Sequence, residues 1–237
     1  LAVGWNQYSK EVYEKAKENL YGMIEKGILV QDNKKNLYIY RQIMKGRSQT
    51  GIVGCTAIDD YINGVIKKHE FTLASKEKDR INHVDYCNAN TGPIFLTYRA
   101  DTRINEIVKQ ETKKKPVYDF VSDDGIAHTV WIINDDETIN EIEELFSNVK
   151  ALYIADGHHR AASAVKVGLK RRKENPGFTG EEEFNFFLSV LFPDEELAIM
   201  DYNRVVKDLN GMNVTELINN IKEKFTVDEA DGDKAYR

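Results

Sequence analysis

The sequence predicts a mixed α+β fold, and three observations carry that reading. Several stretches repeat apolar residues at helical spacing, as in Val12, Ala16, Leu20 and Ile24. Short β-prone runs are separated by turn signals such as Lys45-Gly46-Arg47-Ser48 and Asp123-Asp124-Gly125. Two runs, Leu152–Ala155 and Phe184–Phe192, are apolar enough for buried strands.

Taken in order, Ser9–Gly27 predicts an amphipathic helix, with Ser9 as its cap and Gly27 as its stop. Two strands follow, Leu37–Met44 and Gln49–Ile58, joined by the Lys45–Ser48 turn. In the first, Tyr38, Tyr40 and Gln42 alternate with Ile39, Arg41 and Ile43, so neither face is cleanly polar. Asp59–Lys68 reads as a helix, and so does the charged stretch Ala74–Asn88, which Asn90-Thr91-Gly92-Pro93 breaks. Pro93–Arg99 reads as a strand and Asp101–Thr112 as a helix. Pro116–Ser122 and Ile126–Asn134 flank the Asp-Asp-Gly turn as a hairpin. Asp136–Asn148 is a helix with Ile139, Ile142, Leu145 and Phe146 on one face. After the strand Leu152–Ala155 comes a long helix from His158 to Lys173. A loop at Asn175–Gly180, strands at Phe184–Phe192 and Ile199–Val206, and a helix at Val214–Phe225 complete the chain.

A chain of 237 residues holds one large domain or two small ones. With 41% hydrophobic and 30% charged residues, it has the composition of a folded globular protein. No run approaches the roughly 20 apolar residues that span a bilayer. No secretory leader is evident either, so a cytoplasmic location is expected. The two cysteines, Cys55 and Cys87, are too few for a disulfide framework or a zinc site, which fits a reducing compartment. The net charge of −6 argues against nucleic acid as a partner. The basic clusters Lys113–Lys115 and Lys170–Lys173 read as solvated helix ends or loops. There is no internal repeat, and the best boundary candidate is Lys113–Pro116. The chain begins at Leu1, so it is expected to be part of a longer protein.

The chemistry concentrates at Asp156-Gly157-His158-His159-Arg160, where a short apolar strand turns directly into a helix. The first amides of a helix lack intrahelical partners and favour an anion. Gly157 permits close backbone approach or a positive φ. His158, His159 and Arg160 add side-chain donors, and Arg160 suits bidentate phosphate binding. Asp156 could hold Mg²⁺ or cap the helix. Helical neighbours point about 100° apart, so His158 and His159 are poorly disposed to share one metal. A second constellation is Lys68-His69-Glu70, in which Glu70 is a candidate general base, with Arg80 nearby. Further polar candidates are His83, Asp85, Asn88, Asn90 and Thr91; a lone strand histidine such as His128 reads as structural. The P-loop, the GxGxxG turn, the protein-kinase motifs, the zinc CxxC pair and HExxH are all absent.

Tyr153–Arg160 resembles the strand-DGHHR-helix motif of the ParB/sulfiredoxin-like fold. More broadly, nearly the whole chain is similar to the bacterial family of domain of unknown function 1015, described as SerK-like. The stretches that carry this likeness are Lys67–Thr72, Lys78–Asp85, Asn90–Phe95, Phe184–Pro193 and Tyr202–Val206. The resemblance implies a ParB/sulfiredoxin-like core with an insertion around residues 72–150 in one domain. It also implies similarity to archaeal ADP-dependent free serine kinases, which carry a His-Glu pair ahead of their own DGHHR motif. In those enzymes the two motifs lie much closer in sequence; here some 85 residues separate them.

On that likeness Glu70, Asp156 and His158 are the expected catalytic residues. Gly157, His158, His159 and Arg160 are expected to bind ADP or ATP, His69 and Arg80 the substrate, and Asp156 Mg²⁺. The expected reaction is phosphoryl transfer to a small hydroxylated metabolite, with L-serine the first candidate. The alternative is a ParB-like module that binds nucleotide without catalysis.

Overall fold

The computed structural model describes residues 6–199 and 205–229. The chain divides into two compact units, Leu1–Leu197 and Ala198–Arg237. Lys113–Pro116 lies inside the first unit.

The first unit is built on one eight-stranded mixed sheet. It opens with helix α1 (Lys10–Glu25), followed by the antiparallel pair β1 (Leu37–Met44) and β2 (Arg47–Ala57). A five-residue helix α2 (Ile58–Ile62) leads into a two-residue strand β3 (Ile66–Lys67). The chain then runs through α3 (Ala74–Cys87), β4 (Ile94–Tyr98), α4 (Thr102–Glu111), β5 (Tyr118–Val121), β6 (Ala127–Ile133) and α5 (Asp136–Ser147). Strand β7 (Leu152–Asp156), helix α6 (His158–Glu174) and strand β8 (Phe186–Pro193) complete it. The strand order is β3-β7-β4-β8-β2-β1-β6-β5. Residues 72–150, expected as an insertion, supply β4, β5 and β6 to this same sheet.

Local chemistry accounts for most element ends. Asp101 accepts from the amides of Arg103 and Ile104 at the start of α4, and Asp135 accepts from Thr138 at the start of α5. Asn88 adopts a left-handed conformation that closes α3. In β4, Ile94, Leu96 and Tyr98 are buried and alternate with less buried neighbours, as a period of two requires. The mixed pattern of β1 follows from its central position between β2 and β6. Ile39 is wholly buried there, and Tyr38 and Tyr40 on the opposite face are half-covered.

Helix α6 supplies the small buried residues Ala161, Ala162 and Ala164. At Gly168 the approach is so close that a Cβ would lie 2.5 Å from the Phe184 carbonyl oxygen and 2.7 Å from Ile58 Cδ1. Helix α3 packs alongside α6. Glu77 pairs with Lys166, and Asp85 pairs with Lys170 at 2.6 Å and with Arg171 at 3.4 Å. Arg172 holds Asp59 bidentately at 2.7 and 2.8 Å. The basic run Lys170–Arg172 therefore works as a set of ties between elements.

One sequence expectation fails in an informative way. Asp59–Lys68 is not one helix: it stops at Ile62, Gly64 turns the chain at φ +75°, and Ile66–Lys67 joins the sheet. The physical reason is tertiary. Leu152 N–H bonds the Val65 carbonyl at 3.1 Å, and β3 pairs in parallel with the start of β7. Glu70 thus follows a strand end and not a helix end.

In the second unit, α7 (Val214–Lys222) carries a complete capping box between Asn213 and Glu216. The strand expected at Ile199–Val206 falls mostly on residues 200–204, outside the described residues. Val205 and Val206 are not in a strand. No helix among the described residues is long and apolar enough to cross a membrane.

Candidate active site

Strand directions assemble the site. Because β3 runs parallel to β7, both strands end at the same edge of the sheet. Lys68-His69-Glu70 therefore emerges beside Asp156 and the start of α6. Strand β4 runs antiparallel to β7, with Phe95 opposite Asp156. That register brings Asn90-Thr91-Gly92, just before β4, to the same edge. The β4–β7 register also shifts between Phe95 and Leu96, a bulge next to the site.

These segments enclose a cavity of about 390 Å³. Glu70 lines it together with Arg80, His83 and Val84 of α3, Asn90, Thr91, Gly92, Ile94, and every residue from Asp156 to Arg160. Gly157 caps α6 at φ +99°, and no side chain bonds to the helix start. The first intrahelical bond runs from Ala161 N–H to the Gly157 carbonyl at 2.9 Å, so the amides of His158, His159 and Arg160 have no acceptor within the helix.

The charged side chains fall into two sets. Arg160 Nη2 donates to Asp156 Oδ2 at 2.7 Å, and its guanidinium lies against the backbone of Gly157 and Gly92. Arg80 has no carboxylate partner among the described residues, which leaves a guanidinium available to an anion. Glu70 Oε2 stands 3.6 Å from His158 Nδ1; the imidazole is buried and the carboxylate exposed. Burial and the neighbouring His69 hold His158 below the usual histidine range, against the pull of Glu70 and Asp156. His83 is also shifted down, by burial and by Arg80.

Both tandem histidines have one nitrogen engaged. His69 N–H donates to His158 Nε2 at 3.4 Å, and Leu73 N–H donates to His159 Nε2 at 3.1 Å. The His69 and His158 rings meet edge to face at 4.3 Å. Behind them, buried Glu77 accepts from Thr72 Oγ1 at 2.7 Å and pairs with Lys166. Lys166 and Thr72 hold its carboxyl below the usual range despite burial.

All the sequence candidates of this group (His69, Glu70, Arg80 and Asp156–Arg160) therefore lie at one edge of the sheet. His83, Asn90 and Thr91 join them, whereas Asp85 and Asn88 are bound to Lys170 and Arg171. Gly92, read from the sequence as part of a helix break, reaches the cavity through β4–β7 pairing, and Glu77, read as one of the charges near Glu70, is buried behind the histidines. His128 lies five strands from β7, about 24 Å away at ordinary strand spacing. Its two ring nitrogens contact Tyr40 Oη at 2.6 Å and Ser122 Oγ at 2.9 Å, a structural setting.

The fold and site define a mixed α+β protein with a polar cavity at a helix start that no side chain caps. The family model described as "Protein of unknown function (DUF1015)" matches residues 3–236, and the chain belongs to this family. Neither the curated proteins nor the solved structures contain a match to it.

Proposed function

We propose that this chain is a nucleotide-dependent phosphotransferase that acts on a small hydroxylated metabolite, with free L-serine the first acceptor to test. The observation that carries the reading is the meeting of Glu70 with His158, at 3.6 Å, on the rim of the cavity at the start of α6. A base and a phosphate-binding helix start then share one cavity. The order of the motifs, His69-Glu70 before Asp156–Arg160, matches that of the archaeal ADP-dependent free serine kinases. The strand-Gly-helix junction supports a ParB/sulfiredoxin-like core.

In this reading the amides of His158–Arg160 and the Arg80 guanidinium hold the nucleotide phosphates and offset charge as the phosphoryl group moves. The Glu70 carboxylate takes the proton of the acceptor hydroxyl. The acceptor oxygen bonds to the terminal phosphorus of ADP or ATP, and AMP or ADP departs with the electrons of the broken P–O bond. Among the described residues, no three His, Cys, Asp or Glu side chains cluster to cage a metal. Mg²⁺ needs no such cage: Asp156 with phosphate oxygens would hold it, and it would neutralise phosphate charge.

Phosphorus NMR of the protein with Mg²⁺, ADP or ATP, and a panel of amino acids and related alcohols tests the proposal. A phosphomonoester signal is expected with the native chain and lost in Glu70→Gln. A fully active Glu70→Gln protein removes Glu70 from the mechanism. Nucleotide binding by calorimetry without product from any acceptor would instead identify a ParB-like nucleotide-binding module.

A further inference from the structure

We propose that His158 and His159 are positioning residues, whose imidazoles clamp the two ends of the segment His69–Leu73 and so fix Glu70 at the cavity. Adjacent helix residues diverge by about 100°. Here that divergence is matched to the segment: His158 Nε2 meets the amide of His69, and His159 Nε2 meets the amide of Leu73. Glu70 lies between the two grips.

The segment has little else to hold it. It connects β3 to α3 without helix or strand of its own. Phe71 is fully exposed and Leu73 is 58% exposed, so apolar burial contributes little order. The remaining side-chain tie is Thr72 to Glu77, and Glu77 is itself tied to Lys166 of α6. Helix α6 thus grips the segment directly at two points, both through the tandem histidines, and braces a third through Glu77 of α3.

Accepting from a backbone N–H also dictates the tautomer. A ring nitrogen that accepts carries no proton, so each neutral imidazole bears its proton on Nδ1. In His158 that Nδ1–H faces Glu70 Oε2. The geometry therefore orients a donor toward one carboxylate oxygen and leaves the other free.

The link from clamp to catalysis rests on the phosphotransferase reading; the clamp itself does not. Amide hydrogen exchange tests it on the folded chain. His159→Phe, which removes the acceptor, should speed exchange of the Leu73 amide about tenfold, the scale of one lost hydrogen bond. His159→Gln, which can return an oxygen near the Nε2 position, should restore protection. Leu73→Pro approaches the same bond from the other side. Its backbone φ of −77° suits proline, and the substitution removes the N–H without touching α6. In that variant the ¹⁵N resonance of His159 Nε2 should shift, while His158 keeps its Nδ1–H signature. Equal Leu73 exchange in the native chain and in a folded His159→Phe, or an unmoved His159 resonance in Leu73→Pro, overturns the clamp. With turnover established, His159→Phe should lower kcat about tenfold at unchanged KM for nucleotide, and His159→Gln should recover it. If the native chain shows no turnover while the exchange results hold, the phosphotransferase reading falls and the clamp stands.

Discussion

Gly157 offers the most direct trial of the site's geometry. Its φ of +99° belongs to the region that L-residues avoid, and a Cβ there would lie 3.0 Å from both Nε and Nη2 of Arg160. Gly157→Ala meets two penalties. Backbone strain costs about 1–2 kcal/mol. The contact itself is relieved when the Arg160 guanidinium moves, but that disturbs its 2.7 Å pair with Asp156, an exposed interaction worth about 0–1 kcal/mol. The sum is about 1–3 kcal/mol, and at ~2–4 °C per kcal/mol for a chain of this size the melting temperature should fall by about 2–12 °C. Urea denaturation should show a lower midpoint at constant m-value. Gly157→Asn separates the two penalties, because Asn tolerates a positive φ and still brings the Cβ. It should lose less stability than Ala and disturb Arg160 equally. A Gly157→Ala protein that melts within about 1 °C of the native chain would refute the left-handed helix start on which the proposed anion site depends.

Two further predictions concern charge. The Glu77 carboxyl is held below its ordinary value of 4.5, so the folded state binds this proton more weakly than the unfolded state. Its contribution is therefore complete above the unfolded value and is lost as pH falls through the lowered folded one. Glu77→Gln should be less stable than the native chain at pH 7, and the gap between their urea midpoints should narrow below about pH 4; a gap of equal size at both pH values would refute the assignment. Arg80, without a carboxylate partner among the described residues, should contribute one charge-assisted bond to a phosphate. Arg80→Gln should raise the calorimetric Kd for ADP about tenfold and weaken its salt dependence; an unchanged Kd would place the phosphates elsewhere.

Much of the fold was legible because its causes are local. Apolar spacing located α1 and α5, and turn chemistry located the β1–β2 and β5–β6 hairpins. The error at Asp59–Lys68 shows the limit. Residues 66 and 67 form a strand because β7 is there to pair with them, and nothing within the segment announces a partner that begins at Leu152.

The same division holds at the candidate site. Asp156–Arg160 was readable as a strand-to-helix junction, since an apolar strand, a glycine and small helical residues are contiguous. Family membership was readable too, because it is a property of the sequence. Only the tertiary structure decided that Glu70 meets His158, and that Asn90–Gly92 and Arg80 close the cavity. It also decided that His158 and His159 turn toward the backbone of residues 69 and 73. Helix periodicity and capping are governed by interactions within a turn or two of chain. The parallel pairing of β3 with β7 joins residues more than 80 positions apart, and its register follows from how the whole sheet packs.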